Sequence, residues 1–282
     1  MKKNRYKNGI KVGLIGIVIN LLLSTTKIIL SYYVNSVSLL ADAVNNFNDM
    51  TSSILTVLGF KLSNKKPNKK HPYGYARYEY ISSFLISIFM TIMSILFIIE
   101  SISKIIKPEK LEINKITYFI LFITLIIKTL QYFYYKKMSK KLKSLTLDAT
   151  TLETRNDIIT NISILISILF IQKTNYNIDG YIALIVSFIL IKSSVQMLKE
   201  SIYELIGKAP SDEMLRKIKN KLLKNKEIKK INRIIIHNYG ENINYINVHI
   251  KIDKKEKINN IIKLIKKIEK EFDNNITIQI DF

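Results

Sequence analysis

Residues 39–53 read LLADAVNNFNDMTSS, which places two aspartates and three asparagines between strongly apolar segments. Charged side chains inside a membrane segment are costly, so they usually face the interior of a helix bundle and serve a function. Asn45 and Asp49 are four residues apart, which puts them on one face of a helix, and Asp42 shares that side. The stretch therefore predicts one half of a polar site in a membrane domain.

A second stretch, TLETRNDIITN at 151–161, has the same spacing, with Glu153 and Asp157 four residues apart. At about 1.5 Å of rise per residue, Asp49 and Asp157 would lie roughly 20 and 18 Å from the cytoplasmic helix ends. Buried like charges repel one another unless a cation or protons neutralise them. Convergence on a divalent cation or a proton pathway is the favoured interpretation; hydrogen bonding between helices is the alternative.

The composition limits the remaining classes of function. The chain has 282 residues, of which 48% are hydrophobic, a formal net charge of +22 and no cysteine. Disulfides, thiolate metal sites and cysteine nucleophiles are therefore excluded. The lysines flank apolar runs, which is typical of a membrane protein rather than a nucleic-acid binder.

Six hydrophobic runs approach or exceed the roughly 20 residues that span a bilayer as a helix. They lie at about 10–33, 37–61, 81–99, 116–135, 147–172 and 179–204. The second and fifth are the most polar, so hydropathy supports them least. Lysines and arginines concentrate in the N-terminus and in the loops at 61–77 and 136–143, which predicts cytoplasmic termini by the positive-inside rule. We expect a multi-pass transmembrane domain over residues 1–208.

The composition changes after Ala209-Pro210, and residues 209–282 are typical of a soluble domain. A helix with Ser211 as its N-cap precedes two strands, INRIIIH and YINVHIKID, an amphipathic helix at about 257–272 and a last strand, ITIQID. The order αββαβ predicts a cytoplasmic ferredoxin-like α+β domain. The predicted fold class is therefore six transmembrane helices followed by this small domain.

The donor set of the polar site indicates which cation it would bind. Carboxylate and amide oxygens are hard ligands that suit Mn²⁺, Mg²⁺ or Ca²⁺. Zinc sites favour histidine and cysteine, and no histidine lies inside a predicted span. The oxygen-only set leans toward manganese, although the affinity order alone does not exclude zinc, iron or cobalt.

The combination of motifs resembles the cation diffusion facilitator family of metal–proton antiporters. The resemblance rests on SVSLLADAVNNFND in the second helix, the acidic pair in the fifth, HPYGYARYE at 71–79 and IDGYIALIVSFILI in the sixth. It implies a metal site formed by Asn45, Asp49, Glu153 and Asp157. The set is similar to that of the manganese-exporting branch, except that Glu153 replaces the aspartate usual there.

The resemblance also implies secondary sites. Asn68, His71 and Tyr75 match a second family site, and because only His71 keeps a typical ligand, we expect a weak site or none. In the C-terminal domain His237, His249 and Asp281 could share a polar sheet face and bind metal; a solvated or dimer-contacting face is at least as well supported. Asp42 is a candidate proton or ion relay, or a structural cap. Lys27 matches the family pattern and could snorkel toward an interface.

The sequence thus predicts a homodimeric inner-membrane exporter of Mn²⁺ that works by proton antiport, and it predicts no enzyme activity and no resident cofactor. Its partners would be a divalent cation, protons, the lipid bilayer and a second copy of the chain, without nucleic acid. Zinc, iron or cobalt export is the alternative within the family. A divalent-cation channel and a membrane-anchored scaffold are the alternatives from other classes.

Overall fold

The computed structural model describes the backbone of residues 2–34, 37–107, 115–174, 178–225, 227–240, 243–252, 258–272 and 276–281. The chain divides into two compact units, Met1–Ile202 and Tyr203–Phe282. Long helices build the first unit, and the second contains a three-stranded sheet.

Six long helices follow one another in the part of the chain that the structure describes. They are α1 (Lys2–Val34), α2 (Val37–Ser63), α3 (Tyr78–Ile106), α4 (Lys115–Leu142), α5 (Leu145–Thr174) and α6 (Asp179–Ile206). Each covers one of the predicted hydrophobic runs and extends beyond it by up to eight residues at an end, as α1 does at its start. The stretch at 39–53 lies in α2, and the acidic pair of 151–161 lies in α5.

Four of these helices contain segments long and apolar enough to cross a membrane, judged over the described residues: Asn4–Leu30, Tyr78–Ile106, Tyr118–Leu142 and Gly180–Ile206. The described parts of α2 and α5 contain no such segment. The protein is therefore a helical membrane protein in which these two helices carry the predicted site.

Glycines allow α1 to pack closely against α2. A Cβ atom on Gly9 would collide with the ring of Phe60, and one on Gly13 would lie 2.6 Å from Cγ2 of Val57 and 3.1 Å from the Ser53 carbonyl oxygen. Small residues at this spacing let two helix backbones approach, which is a common basis of helix association in membranes. The close approach positions the polar face of α2 beside α1.

A buried ion pair joins the ends of several helices. Arg5 of α1 pairs with Glu79 of α3 through two hydrogen bonds, and its Nε donates to the Leu142 carbonyl oxygen at 2.8 Å. Ser144 and Thr146 donate to the Glu79 carboxylate and carbonyl oxygens at 2.9 and 2.7 Å. Because a bidentate pair fixes both distance and angle, these contacts tie α1, α3, α4 and α5 together.

The second unit contains two helices and three strands: α7 (Asp212–Leu222), β1 (Ile228–Asn238), β2 (Asn244–Ile252), α8 (Ile258–Glu271) and β3 (Ile276–Asp281). The sheet order is β1-β2-β3, with β1 and β2 antiparallel and β2 and β3 parallel. A parallel pair needs a crossover connection, and α8 provides it.

The core of the second unit follows the predicted alternation. Ile246, Val248, Ile250 and Ile252 of β2 are all buried, whereas the alternate residues of the strand are not. They pack with a hydrophobic cluster that includes residues of α7 and α8. The predicted Ser211 cap is confirmed, since its hydroxyl oxygen accepts a hydrogen bond from the Met214 amide at 3.3 Å.

Replacing Gly13 with alanine should destabilise the helical unit. Alanine favours a helix over glycine by about 1 kcal/mol, but overpacking typically costs about 1–3 kcal/mol. We expect a lower midpoint of thermal unfolding in detergent for Gly13→Ala. Leu22→Ala, at a side chain of the same helix that is 60% exposed, is the control and should shift the midpoint little. Equal stability of Gly13→Ala and the native chain would contradict the close packing of α1 on α2.

Candidate cation site

The four predicted ligands line one cavity. Asn45 and Asp49 reach it from α2, and Glu153 and Asp157 reach it from α5. The cavity has a volume of about 320 Å³. The i, i+4 spacing therefore places both pairs on faces that meet, and every one of these four side chains offers oxygen donors.

The rest of the cavity wall is mixed in character. The further side chains come from α2, α3, α5 and α6: Asn48, Thr51, Ser52, Phe89, Met90, Ile92, Met93, Ser94, Phe97, Asn156, Thr160 and Leu190. Ser52 donates a hydrogen bond of 2.6 Å to Glu153 Oε1, which links α2 to α5. The polar groups thus lie toward α2 and α5, while α3 contributes mainly apolar side chains.

A lysine holds the two aspartates together. Lys128 of α4 is 2% exposed, and its Nζ lies 2.7 Å from Oδ2 of Asp49 and 2.7 Å from Oδ2 of Asp157. The same nitrogen donates to Asn20 Oδ1 of α1 at 3.1 Å. All three ammonium protons are therefore used, and one side chain connects α1, α2, α4 and α5.

The arrangement differs from a preformed metal cage. Among the described residues, no three histidine, cysteine, aspartate or glutamate side chains are grouped closely enough to hold one metal ion. Asp49 and Asp157 are instead bridged by the Lys128 ammonium, which bonds one oxygen of each. The four predicted ligands thus line one cavity, but the sequence did not show that the Lys128 ammonium neutralises part of their charge.

Sequence reasoning missed Lys128, although the sequence carries a signal for it. The residue interrupts the apolar run FILFITLIIKTL of α4, and an ionisable residue inside a membrane span indicates a functional site by default. The partners of Lys128 are separated from it by 79 and 29 residues, so only the packed bundle identifies them.

The polar face of α1 continues beyond Asn20. Ser24 is buried and donates to the Ala43 carbonyl oxygen at 2.9 Å. Lys27 is 1% exposed, so the prediction that it snorkels to an interface is wrong. It lies seven residues after Asn20 on the same helix face, which explains why it points into the bundle.

The loop site at 68–75 is held together by its own hydrogen bonds. Asn68 Oδ1 accepts from the backbone amides of Lys70 and His71 at 3.0 and 2.8 Å, and its amide group donates to the Tyr75 hydroxyl at 2.8 Å. The His71 ring packs on Tyr75 with centroids 4.5 Å apart and is exposed. The three positions are close together, but Asn68 already uses its carbonyl and amide groups for the turn.

The C-terminal histidines lie on one face of the sheet but at different positions along the strands. His237 is paired with Tyr245, whereas His249 is paired with Arg233, so they are separated by four residues along the ladder. That separation is about 13 Å at roughly 3.3 Å per residue. Side chains stand perpendicular to a sheet, so the two rings do not converge. Asp281 ends β3 opposite Lys251, and its side chain lies outside the described residues.

Asp42 lies in α2, one turn before Asn45 and Asn46. Its side chain is outside the described residues, and its role as a relay or a cap stays a prediction.

These observations define a class of protein: a helical membrane protein that gathers carboxylates and a buried ammonium around an internal cavity, as expected for a protein that handles cations. The family model of the cation efflux transmembrane domain matches residues 13–206. The chain therefore belongs to the cation efflux family, and the predicted resemblance is confirmed.

Individual relatives are similar at low identity. An uncharacterized transporter of Methanocaldococcus jannaschii is 27% identical over 85% of this chain and 84% of its own length. The manganese efflux system protein MneP of Bacillus subtilis is 26% identical over 85% and 83%. The zinc transporter ZitB of Yersinia pestis is 24% identical over 81% and 73%. The relatives are cation efflux transporters, not enzymes, and their names include both manganese and zinc.

Replacing Lys128 with methionine should lower the stability of the helical unit. Removing one partner of a buried ion pair leaves uncompensated charge and typically costs about 3–5 kcal/mol. We expect a lower midpoint of thermal unfolding in detergent for Lys128→Met. Lys136→Met, at an exposed lysine of the same helix, is the matched control and should change the midpoint little. Similar midpoints for both variants would show that the bridge to Asp49 and Asp157 contributes nothing to stability.

Proposed function

We propose that the chain exports Mn²⁺ from the cytoplasm and that Asn45, Asp49, Glu153 and Asp157 bind the ion during transport. The observation that carries this proposal is the shared cavity, to which all four residues contribute oxygen donors. Hard oxygen ligands suit manganese better than they suit zinc, which favours histidine and cysteine. The similarity to a manganese efflux protein supports the same choice.

Proton antiport with alternating access is the proposed mechanism. Three carboxylates in a buried cavity repel one another unless cations or protons neutralise them. Cytoplasmic metal would provide that neutralisation on entry. After the helices rock to open the cavity outward, protons from outside would replace the metal on the carboxylates and release it.

The proposed topology extends the four apolar spans to six, with α2 and α5 crossing the membrane inside the bundle. Their polar residues would be shielded there by the other helices. We place the chain in the cell inner membrane with both termini in the cytoplasm, on the distribution of lysines. The second unit would be a ferredoxin-like domain through which two copies associate, and transport would need no resident cofactor.

Zinc export is the second candidate, because relatives of comparable identity are named zinc transporters. Iron and cobalt stay alternatives on ligand chemistry. A divalent-cation channel or a membrane-anchored scaffold would differ in behaviour. An antiporter moves metal against its gradient after a pH step, a channel only dissipates the metal gradient, and a scaffold moves no metal.

Asp49→Ala and Asp157→Ala should each abolish Mn²⁺ transport driven by a pH step in reconstituted vesicles. Each change removes a charged oxygen donor from the cavity. Glu100→Ala, at an exposed carboxylate of α3, is the control and should transport Mn²⁺ normally. Unimpaired transport by both aspartate variants would refute the assigned site.

Glu153→His should shift metal preference toward zinc. The change replaces an oxygen donor with an imidazole nitrogen, which zinc binds well. Competition between Mn²⁺ and Zn²⁺ for uptake into the same vesicles measures the preference, and the native chain should favour Mn²⁺. Preference for Zn²⁺ by the native chain would instead support the second candidate.

A further inference from the structure

Lys128 contacts two of the acidic residues of the cavity wall without lining the cavity itself. The described residues that line the cavity belong to α2, α3, α5 and α6, whereas Lys128 reaches Asp49 and Asp157 from α4, next to Asn20 of α1. It bonds one oxygen of each carboxylate, Oδ2 in both cases. One oxygen of each aspartate therefore has no hydrogen bond to this ammonium.

The charges in direct contact give a simple count. Asp49, Glu153 and Asp157 contribute three negative charges to the cavity wall. The Lys128 ammonium, bonded to two of them, contributes one positive charge. Lys128 thus offsets one of the three carboxylates by direct contact, and the buried Lys27 of α1 also acts electrostatically on Asp49. Residual charge inside a membrane protein is unfavourable, so this count bears on which ions the cavity accepts.

We propose that Lys128 sets the charge of the ion that the cavity accepts. It holds the Oδ2 atoms of Asp49 and Asp157 and offsets one of three carboxylates, and this lower negative charge favours a divalent over a trivalent cation. Lys128 is a positioning residue that does not bind the ion. The inference rests on the proposed cation binding by these carboxylates and adds a determinant of selectivity from α4.

The test compares two hard, oxygen-binding cations of similar size and different charge, Ca²⁺ and Tb³⁺. Binding of each to purified full-length protein in nanodiscs is measured by competition against Mn²⁺, followed by Mn²⁺ electron paramagnetic resonance. Loss of one positive charge a few ångströms away should raise the affinity for Tb³⁺ relative to Ca²⁺ by at least about tenfold in Lys128→Met. Lys136→Met on the same helix should keep the native ratio.

A second-site change separates charge from packing. The double variant Lys128→Met with Glu153→Gln has the native charge count again, so its ratio of Tb³⁺ to Ca²⁺ affinity should return toward the native value. A purely structural role of Lys128 predicts no such return. Glu153 accepts its hydrogen bond from Ser52, so Glu153→Gln does not restore the packing lost with Lys128.

Asn45→Asp tests the count with Lys128 left in place. It adds a carboxylate to the cavity and should raise the ratio of Tb³⁺ to Ca²⁺ affinity, as Lys128→Met does. The inference is therefore decided even when Lys128 variants fail to fold. An unchanged ratio in Asn45→Asp, or in a folded Lys128→Met, overturns it. Mn²⁺ binding and transport by the native chain are measured separately, and their absence refutes the proposed function. An unchanged ratio of Tb³⁺ to Ca²⁺ affinity with intact Mn²⁺ transport refutes only the role of Lys128.

Discussion

The helical unit is held together at the buried Lys128 ammonium. Lys128 donates to two carboxylates and to an amide oxygen, and in doing so it links four helices at one point. Such a contact stabilises the bundle only because every partner is present: each charge on its own would be too costly to bury. The same constraint explains why acidic residues of α2 and α5 can lie inside a membrane bundle, since the ammonium neutralises part of their charge.

The glycines of α1 make this arrangement geometrically accessible. The tight contacts of Gly9 and Gly13 with α2 bring the two backbones close. The polar face of α1, which includes Asn20 and Ser24, then meets the polar face of α2 and the Lys128 ammonium. At another point of the bundle, the Arg5–Glu79 pair ties α1 to α3 and to the junction of α4 and α5. Among the described residues, the Lys128 network lies against the cavity, whereas the Arg5–Glu79 network joins helix ends elsewhere in the bundle.

The parts of the fold that could be predicted were those that leave a local periodic signal. The period of 3.6 residues put Asn45 beside Asp49 and Glu153 beside Asp157, and alternation along β2 identified its buried face. Apolar composition supported four spans over the described residues, and α2 and α5, which contain the predicted ligands, were not among them. The histidines of the C-terminal sheet show the limit of such patterns. His237 and His249 share a face, but the strand register that separates them is a property of pairing between distant segments.

The sequence by itself predicted which oxygen-bearing side chains would line one cavity, because residue type and i, i+4 spacing are local properties of the chain. It also determined the family, through motifs spread over several helices. Only the tertiary structure decided that a lysine from a fourth helix stands between two of the acids. A charge pair across 79 residues leaves no local periodic signal, since its existence depends on how α1, α2, α4 and α5 pack. That packing turned a set of acidic residues into a partly neutralised site.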